Sequence, residues 1–136
     1  MMSVVFRKII HMHEIPGNNP LVKLTYRFSL DIISLAELLD QERKYVISRQ
    51  LLKSGTSIGA NAWEAQHAES LADFIHKLKI SAKEAEETMY WLLLCKNAAN
   101  YQKDCNSLLD SCSEIRRLLA KIIITSKQKL KNRYKK

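Results

Sequence analysis

Glycine and proline are scarce in this sequence, at 3 and 2 of 136 residues. Both punctuate turns, so their shortage excludes a many-stranded sandwich or barrel and favours long helices. Cysteine is equally sparse. Cys95, Cys105 and Cys112 stand at no metal-ligand spacing, and an odd number of this kind reads as reduced thiols in a cytoplasmic protein. No apolar run approaches the ~20 residues needed to cross a bilayer, so no membrane partner is expected. The start, Met1 to His11, carries charge too early and has too short an apolar run for a signal peptide. A phosphate-cradling glycine loop, a Gly-x-Ser-x-Gly elbow and a Cys-x-x-Cys pair are all missing, so no catalytic centre is expected.

What is present is ordinary globular usage, 46% apolar and 26% charged residues, in a chain the size of one domain. Basic residues outnumber acidic ones by 22 to 14, a net charge of +8. The excess is concentrated at the end. Lys127, Lys129, Lys131, Arg133, Lys135 and Lys136 occupy the last ten positions without an acid, and the other 126 residues carry only +2. Such a segment suits an anionic partner, RNA or DNA, and these six side chains are the candidate nucleic-acid contacts.

Hydrophobic spacing divides the rest into four helices. Asn19 caps a first helix whose opening position is Pro20, where no N–H donor is needed. Leu21, Leu24, Phe28, Ile32, Leu35 and Leu39 then recur at three- and four-residue steps. Asp40 to Arg43 turns the chain. A second helix over about Arg43 to Ala68 presents Ile47, Leu51, Ser54, Ile58, Asn61 and Ala65 inward. Gly55 and Gly59 lie beside that stripe, and each interior glycine costs about 1 kcal/mol against alanine. Either the row of small residues admits a neighbouring backbone, or the helix breaks near Gly55. Ser70 and Asp73 open a third helix with the pattern of a capping box. Its stripe is Leu71, Phe74, Leu78, Ser81, Ala85, Thr88, Leu92 and Cys95. Asp104 caps the fourth, which buries Leu108, Cys112, Ile115, Leu119 and Ile122 before giving way to the basic tail. The expected fold is all-α, an antiparallel up-down-up-down four-helix bundle over 20–126. It lies between an N-terminal leader, 1–19, that reads as strand or extra helical turn, and a tail, 127–136.

Bundles of this kind can hold two iron ions, which makes Glu64-x-x-His67 and Asp73-x-x-His76 the motifs to compare with such a site. The second has Asp for Glu, Glu37 points away from its stripe, and Glu114 only neighbours one, so neither a metal nor any other cofactor is expected. Cys95 and Cys112 lie on apolar stripes, as core cysteines do. Polar residues beside or on apolar faces are more informative. Asn61, Glu64, Glu84, Glu87 and Trp91 are expected to form a buried polar network or a subunit contact, because such groups are costly unless hydrogen-bonded and an inward Asn can fix oligomer state. Trp63, off its stripe, is a second aromatic suited to subunit contacts.

The run Leu51-Leu52-Lys53-Ser54-Gly55-Thr56-Ser57-Ile58-Gly59-Ala60-Asn61, then Glu64-Ala65, resembles the signature of the four helix bundle protein family, also called the 23S rRNA intervening-sequence protein family. A second block agrees: Ser70, Asp73-Phe74-Ile75, Lys77-Leu78, Ile80, Lys83-Glu84-Ala85, Glu87-Thr88 and Tyr90-Trp91-Leu92. With Phe28 and its stripe, the resemblance spans about residues 20–125. It implies a cytoplasmic bacterial protein, an antiparallel four-helix bundle and a ring-shaped homopentamer. Some members are encoded inside insertions in large-subunit rRNA genes. A similar fold serves as the accessory variability protein of diversity-generating retroelements, a basic pentamer that binds a reverse transcriptase and nucleic acid. Trp63 departs from the family pattern, and the leader and last ten residues lie outside it. Two functions follow as expectations: a non-catalytic, self-associating scaffold for nucleic acid, or an adaptor for a protein such as a reverse transcriptase.

Overall fold

The computed structural model describes residues 18–101 and 103–135, and the leader's first seventeen residues lie outside that range. Four helices follow one another: α1 (Pro20–Gln41), α2 (Tyr45–Ala65), α3 (Leu71–Asn97) and α4 (Asn106–Arg133). Among the described residues there is no strand. Each helix packs on two neighbours, in the ring α1–α2–α3–α4–α1, and the backbones of diagonal helices stay apart. Short links between consecutive neighbours make them antiparallel, and the all-α four-helix bundle is the observed fold.

Local chemistry explains the boundaries. The Asn19 side chain accepts from the Leu21 and Val22 N–H groups, with Pro20 at the first turn. Its Nδ2 also donates to Gln66 Oε1 at 3.0 Å, tying the start of α1 to the link beyond α2. α1 stops where Arg43 enters the left-handed region, φ 62°. There the Lys44 N–H reaches Leu39 O and the Arg43 N–H reaches Asp40 O, a paired closure that satisfies the last carbonyls. Ser70 accepts from Asp73 N–H, while the Asp73 carboxylate accepts from the Glu69 N–H. At α4 the expected cap is displaced by one residue. Cys105 is the N-cap, and Asp104 instead accepts from the Asn106 N–H at 3.3 Å.

The core is Phe28, Ile32 and Leu39 from α1, Leu51, Ile58 and Ala62 from α2, Leu78, Ala85 and Leu92 from α3, and Cys112, Ile115 and Leu119 from α4. Two expected stripes shift. Ala62, not Asn61, is buried on α2, because a step of four from Ile58 stays on the inward face while a step of three drifts off it. At the start of α3 it is Ile75 that is buried, with Leu71 and Phe74 at the core's edge.

α2 runs unbroken through both glycines, and their row faces α1. A Cβ on Gly55 would stand 2.8 Å from two carbons of the Ile32 side chain. One on Gly59 would meet Ser29 Oγ at 3.2 Å and the Thr25 carbonyl at 3.3 Å. The missing side chains are what let α1 lie against α2.

Hydrogen bonds between helices complete the interior. Ser48 donates to Ala36 O at 2.9 Å, Ser81 to Ile58 O at 2.7 Å, and the Cys112 thiol to Ala85 O at 3.4 Å. Thr88 Oγ1 lies 2.7 Å from Glu84 O and 2.9 Å from Ser54 Oγ. Each hydroxyl has one proton, so Thr88 donates to the carbonyl and Ser54 donates to Thr88. At the far end, Lys44 bonds the Asn100 carbonyl and lies over the Tyr101 ring, while Lys103 pairs with Glu42. That hydrogen bond from Lys103 holds the Glu42 carboxyl below its ordinary pKa.

Gly55→Ala should lower stability by about 1 kcal/mol in urea unfolding, because overpacking of about 1–3 kcal/mol exceeds the gain in helix propensity. Ile32→Val in the same chain should recover part of the loss, and a stabilised Gly55→Ala protein would contradict the contact. Thr88→Val strands the Ser54 hydroxyl and should cost about 1–3 kcal/mol. Adding Ser54→Ala should restore part of that, so strict additivity of the two changes would disprove the pair.

Candidate nucleic-acid interface

The basic segment is helix. α4 does not dissolve after Ile122 but continues to Arg133, so Lys127, Lys129, Lys131 and Arg133 belong to it, Lys135 follows it, and Lys136 lies outside the described residues. Lys, Gln and Leu are good helix formers, and a core-facing row continues through Ser126, which is buried, to the half-buried Leu130. α4 is also polarised along its axis. Asp110 and Glu114 lie in its first half, and from Ile115 to Lys135 there is no acid. Cations toward the C-terminal end complement the helix dipole.

The Cys112–Ala85 contact sets α4 against α3, and counting outward places Ser126 level with Leu71, where α3 begins. The seven residues Lys127 to Arg133 therefore project about 10 Å past the start of α3. All four of their cations are exposed, and none forms an ion pair among the described residues. Two further cations were missed in the sequence, Arg117 and Lys121. They stand one turn apart on the outer face of α4, both exposed and likewise without an acid partner among the described residues. Their four-residue spacing, opposite the Cys112-to-Leu119 stripe, was the available signal. Arg116, by contrast, is held by Glu86 of α3.

The polar set is not brought together: Glu64, with Asn61 one turn before it, meets Lys77 near the start of α3, whereas Glu84, Glu87 and Trp91 lie two to four turns further along α3. Asn61 is half-buried and donates to Ser57 O of its own helix. Glu64 is exposed and paired with Lys77 at 3.1 Å. Burial, reinforced by Glu87 and opposed by Lys53, raises the pKa of Glu84, while Glu87 itself is exposed. Trp91 packs on the core, its indole N–H buried without an acceptor in the described structure. Within one chain these five make no hydrogen-bonded network. The buried polar contacts belong instead to Ser48, Ser81 and the pair Ser54–Thr88, small hydroxyl residues of which Ser54, Ser81 and Thr88 lie on the expected stripes and Ser48 does not.

The α1–α2 flank is different in character. Val22, Thr25, Tyr26, Ser29, Gly59, Ala60 and Trp63 line a shallow cleft of about 190 Å³, opened by the absent Gly59 side chain. Leu30, Ile33 and Leu52 are also exposed on these two helices. Burial drives the Cys95 and Cys112 thiols up to about 11, so little thiolate forms at neutral pH. Among the described residues no three His, Cys, Asp or Glu side chains converge on a possible metal position. No described helix is long and apolar enough to cross a membrane.

No curated protein matches this chain. Among solved structures it is similar to a protein of unknown function from the S23 ribosomal protein family of Bacteroides thetaiotaomicron VPI-5482. The two share 43% identity at a TM-score of 0.72, over 76% of this chain and 97% of that one. The family described as 23S rRNA-intervening sequence protein matches residues 18–121, the four-helix body up to the outer cations of α4. The chain belongs to the 23S rRNA-intervening sequence protein family.

Proposed function

We propose that this protein is a non-catalytic, self-associating bundle of the cytoplasm that binds nucleic acid, RNA or DNA, through the basic half of α4. The observation that carries this is the unneutralised cation set, Arg117, Lys121, Lys127, Lys129, Lys131 and Arg133, held on one continuous helix. A cation already paired within the protein has less to gain from a phosphate, and these six have no such pair among the described residues. Self-association, a homopentamer by the family resemblance, would multiply the contacts on one strand. The α1–α2 flank supports it, because a cleft rimmed by Trp63 and Tyr26 beside Leu30, Ile33 and Leu52 is apolar surface that a second copy would cover. The same flank supports an alternative, an adaptor that holds a protein such as a reverse transcriptase. A partner that stays bound after nuclease digestion would favour the adaptor.

Affinity for generic RNA or DNA should fall by about a thousandfold or more as salt rises from about 50 to 200 mM. Replacing Lys127, Lys129, Lys131 and Arg133 with Ala should reduce the slope of log affinity against log salt by about 3. An unchanged slope in filter binding would remove α4 from the function. In sedimentation equilibrium the protein should be an oligomer, and Trp63→Glu should shift it toward the protomer. A wild-type protomer at high concentration would refute self-association.

A further inference from the structure

The arrangement of side chains around the projecting part of α4 is more specific than its charge. At about 100° per residue, Lys121, Thr125, Gln128 and Asn132 fall within about 60° of one another, opposite the core-facing Ser126 and Leu130. Lys127 and Lys131 form a four-residue pair on one flank of that face, and Lys129 and Arg133 form the matching pair on the other. Each pair is about 100° from the face. Gln128 and Asn132 are exposed, as are all four flanking cations. Beyond Ser126 the helix has passed the start of α3, so both flanks stand clear of that neighbour. The surface is thus a carboxamide strip between two cationic rails.

We infer that this face of α4 docks in the major groove of duplex DNA, with the rails on the two phosphate walls and Gln128 and Asn132 toward the base edges. The inference rests on the nucleic-acid reading above and narrows it to one substrate. A helix with its side chains is about 10–12 Å across, and the B-form major groove is about 12 Å wide and 8.5 Å deep. Rails on opposite flanks match phosphates on opposite walls, which a single strand does not offer. The carboxamides of Gln and Asn carry a donor and an acceptor side by side, the pattern that pairs with adenine N7 and N6. Duplex RNA is disfavoured by shape, because its deep, narrow major groove does not admit side chains in this way. Lys121 and Arg117 extend the contact along the outer face toward the middle of the bundle.

Fluorescence anisotropy over a series of salt concentrations would compare a 20-base-pair DNA duplex containing adenine tracts, the RNA duplex of the same sequence, and one DNA strand alone, all three at each concentration. The DNA duplex should bind at least about tenfold more tightly than either competitor. Gln128→Ala with Asn132→Ala should cut that preference to less than about threefold while leaving the salt slope unchanged. Lys127→Ala with Lys131→Ala should instead lower the slope by about 2. All four sites are exposed, and circular dichroism of each variant would verify that helicity is retained. Equal binding of the RNA duplex or the single strand would overturn the groove assignment and leave nucleic-acid binding standing. An unchanged preference in the carboxamide variant would also overturn it. Failure to bind any of the three nucleic acids would overturn both readings.

Discussion

Apolar seams between helices are tolerant of sliding, since one leucine serves nearly as well as the next. A few buried hydrogen bonds remove that freedom here. Ser48 finds the Ala36 carbonyl, Ser54 finds Thr88, Ser81 finds Ile58, and Cys112 finds Ala85. A one-turn slip would move Ser48, Ser81 and Cys112 to another carbonyl, but it would part Ser54 from Thr88 and leave a core hydroxyl without its partner, at about 1–3 kcal/mol. Register is therefore fixed most firmly where α2 meets α3, and the Cys112 contact marks the level of α4 against α3. The level at which α3 begins and α4 fails to end is a product of that register, and so is everything built on the projection.

Apolar side chains reach the surface on all four helices, Leu93 on α3 and Ile124 on α4 among them, but on the α1–α2 flank a cleft lies beside them. The α1–α2 flank exposes Leu30, Ile33, Leu52 and Trp63 around the Gly59 cleft, while α4 on the other side presents cations. Under the proposed function, protein would cover the first flank and an anion would meet α4, and neither use would obstruct the other. The two ends differ as well. Where α2 begins, Glu42 pairs with both Lys44 and Lys103, and Lys44 lies over the Tyr101 ring, tying two loops together. At the opposite end the α4 cations are left to solvent.

Much of the fold was legible because its signals are local. Asn19 before Pro20, Ser70 before Asp73 and the spacing of Phe28, Ile32 and Leu39 each act over one or two turns, and each has its expected role. Misreadings arose where two residues competed for one inward position. Asn61 and Ala62 are adjacent, and only the accumulated drift of the helix decides between them. Spacing of three and four residues places Asn61 inward, whereas the structure buries the smaller side chain of Ala62. The tail was read from charge alone, which says nothing of where a helix ends. The continuing row through Ser126 and Leu130 held that information, and it was outweighed by six cations. Arg117 and Lys121 escaped notice because a lone i,i+4 pair gains meaning only once the opposite face is known to be buried.

The twin rails of α4 set like charges four residues apart, Lys127 above Lys131 and Lys129 above Arg133. Such pairs weaken an isolated helix by about 0.2–0.5 kcal/mol each, and past Ser126 there is little packing to offset it. A polyanion lying between them cancels this mutual repulsion. If the proposed nucleic acid lies there, the projecting turns would be firmest when occupied, and the ligand would help to build the finger that holds it.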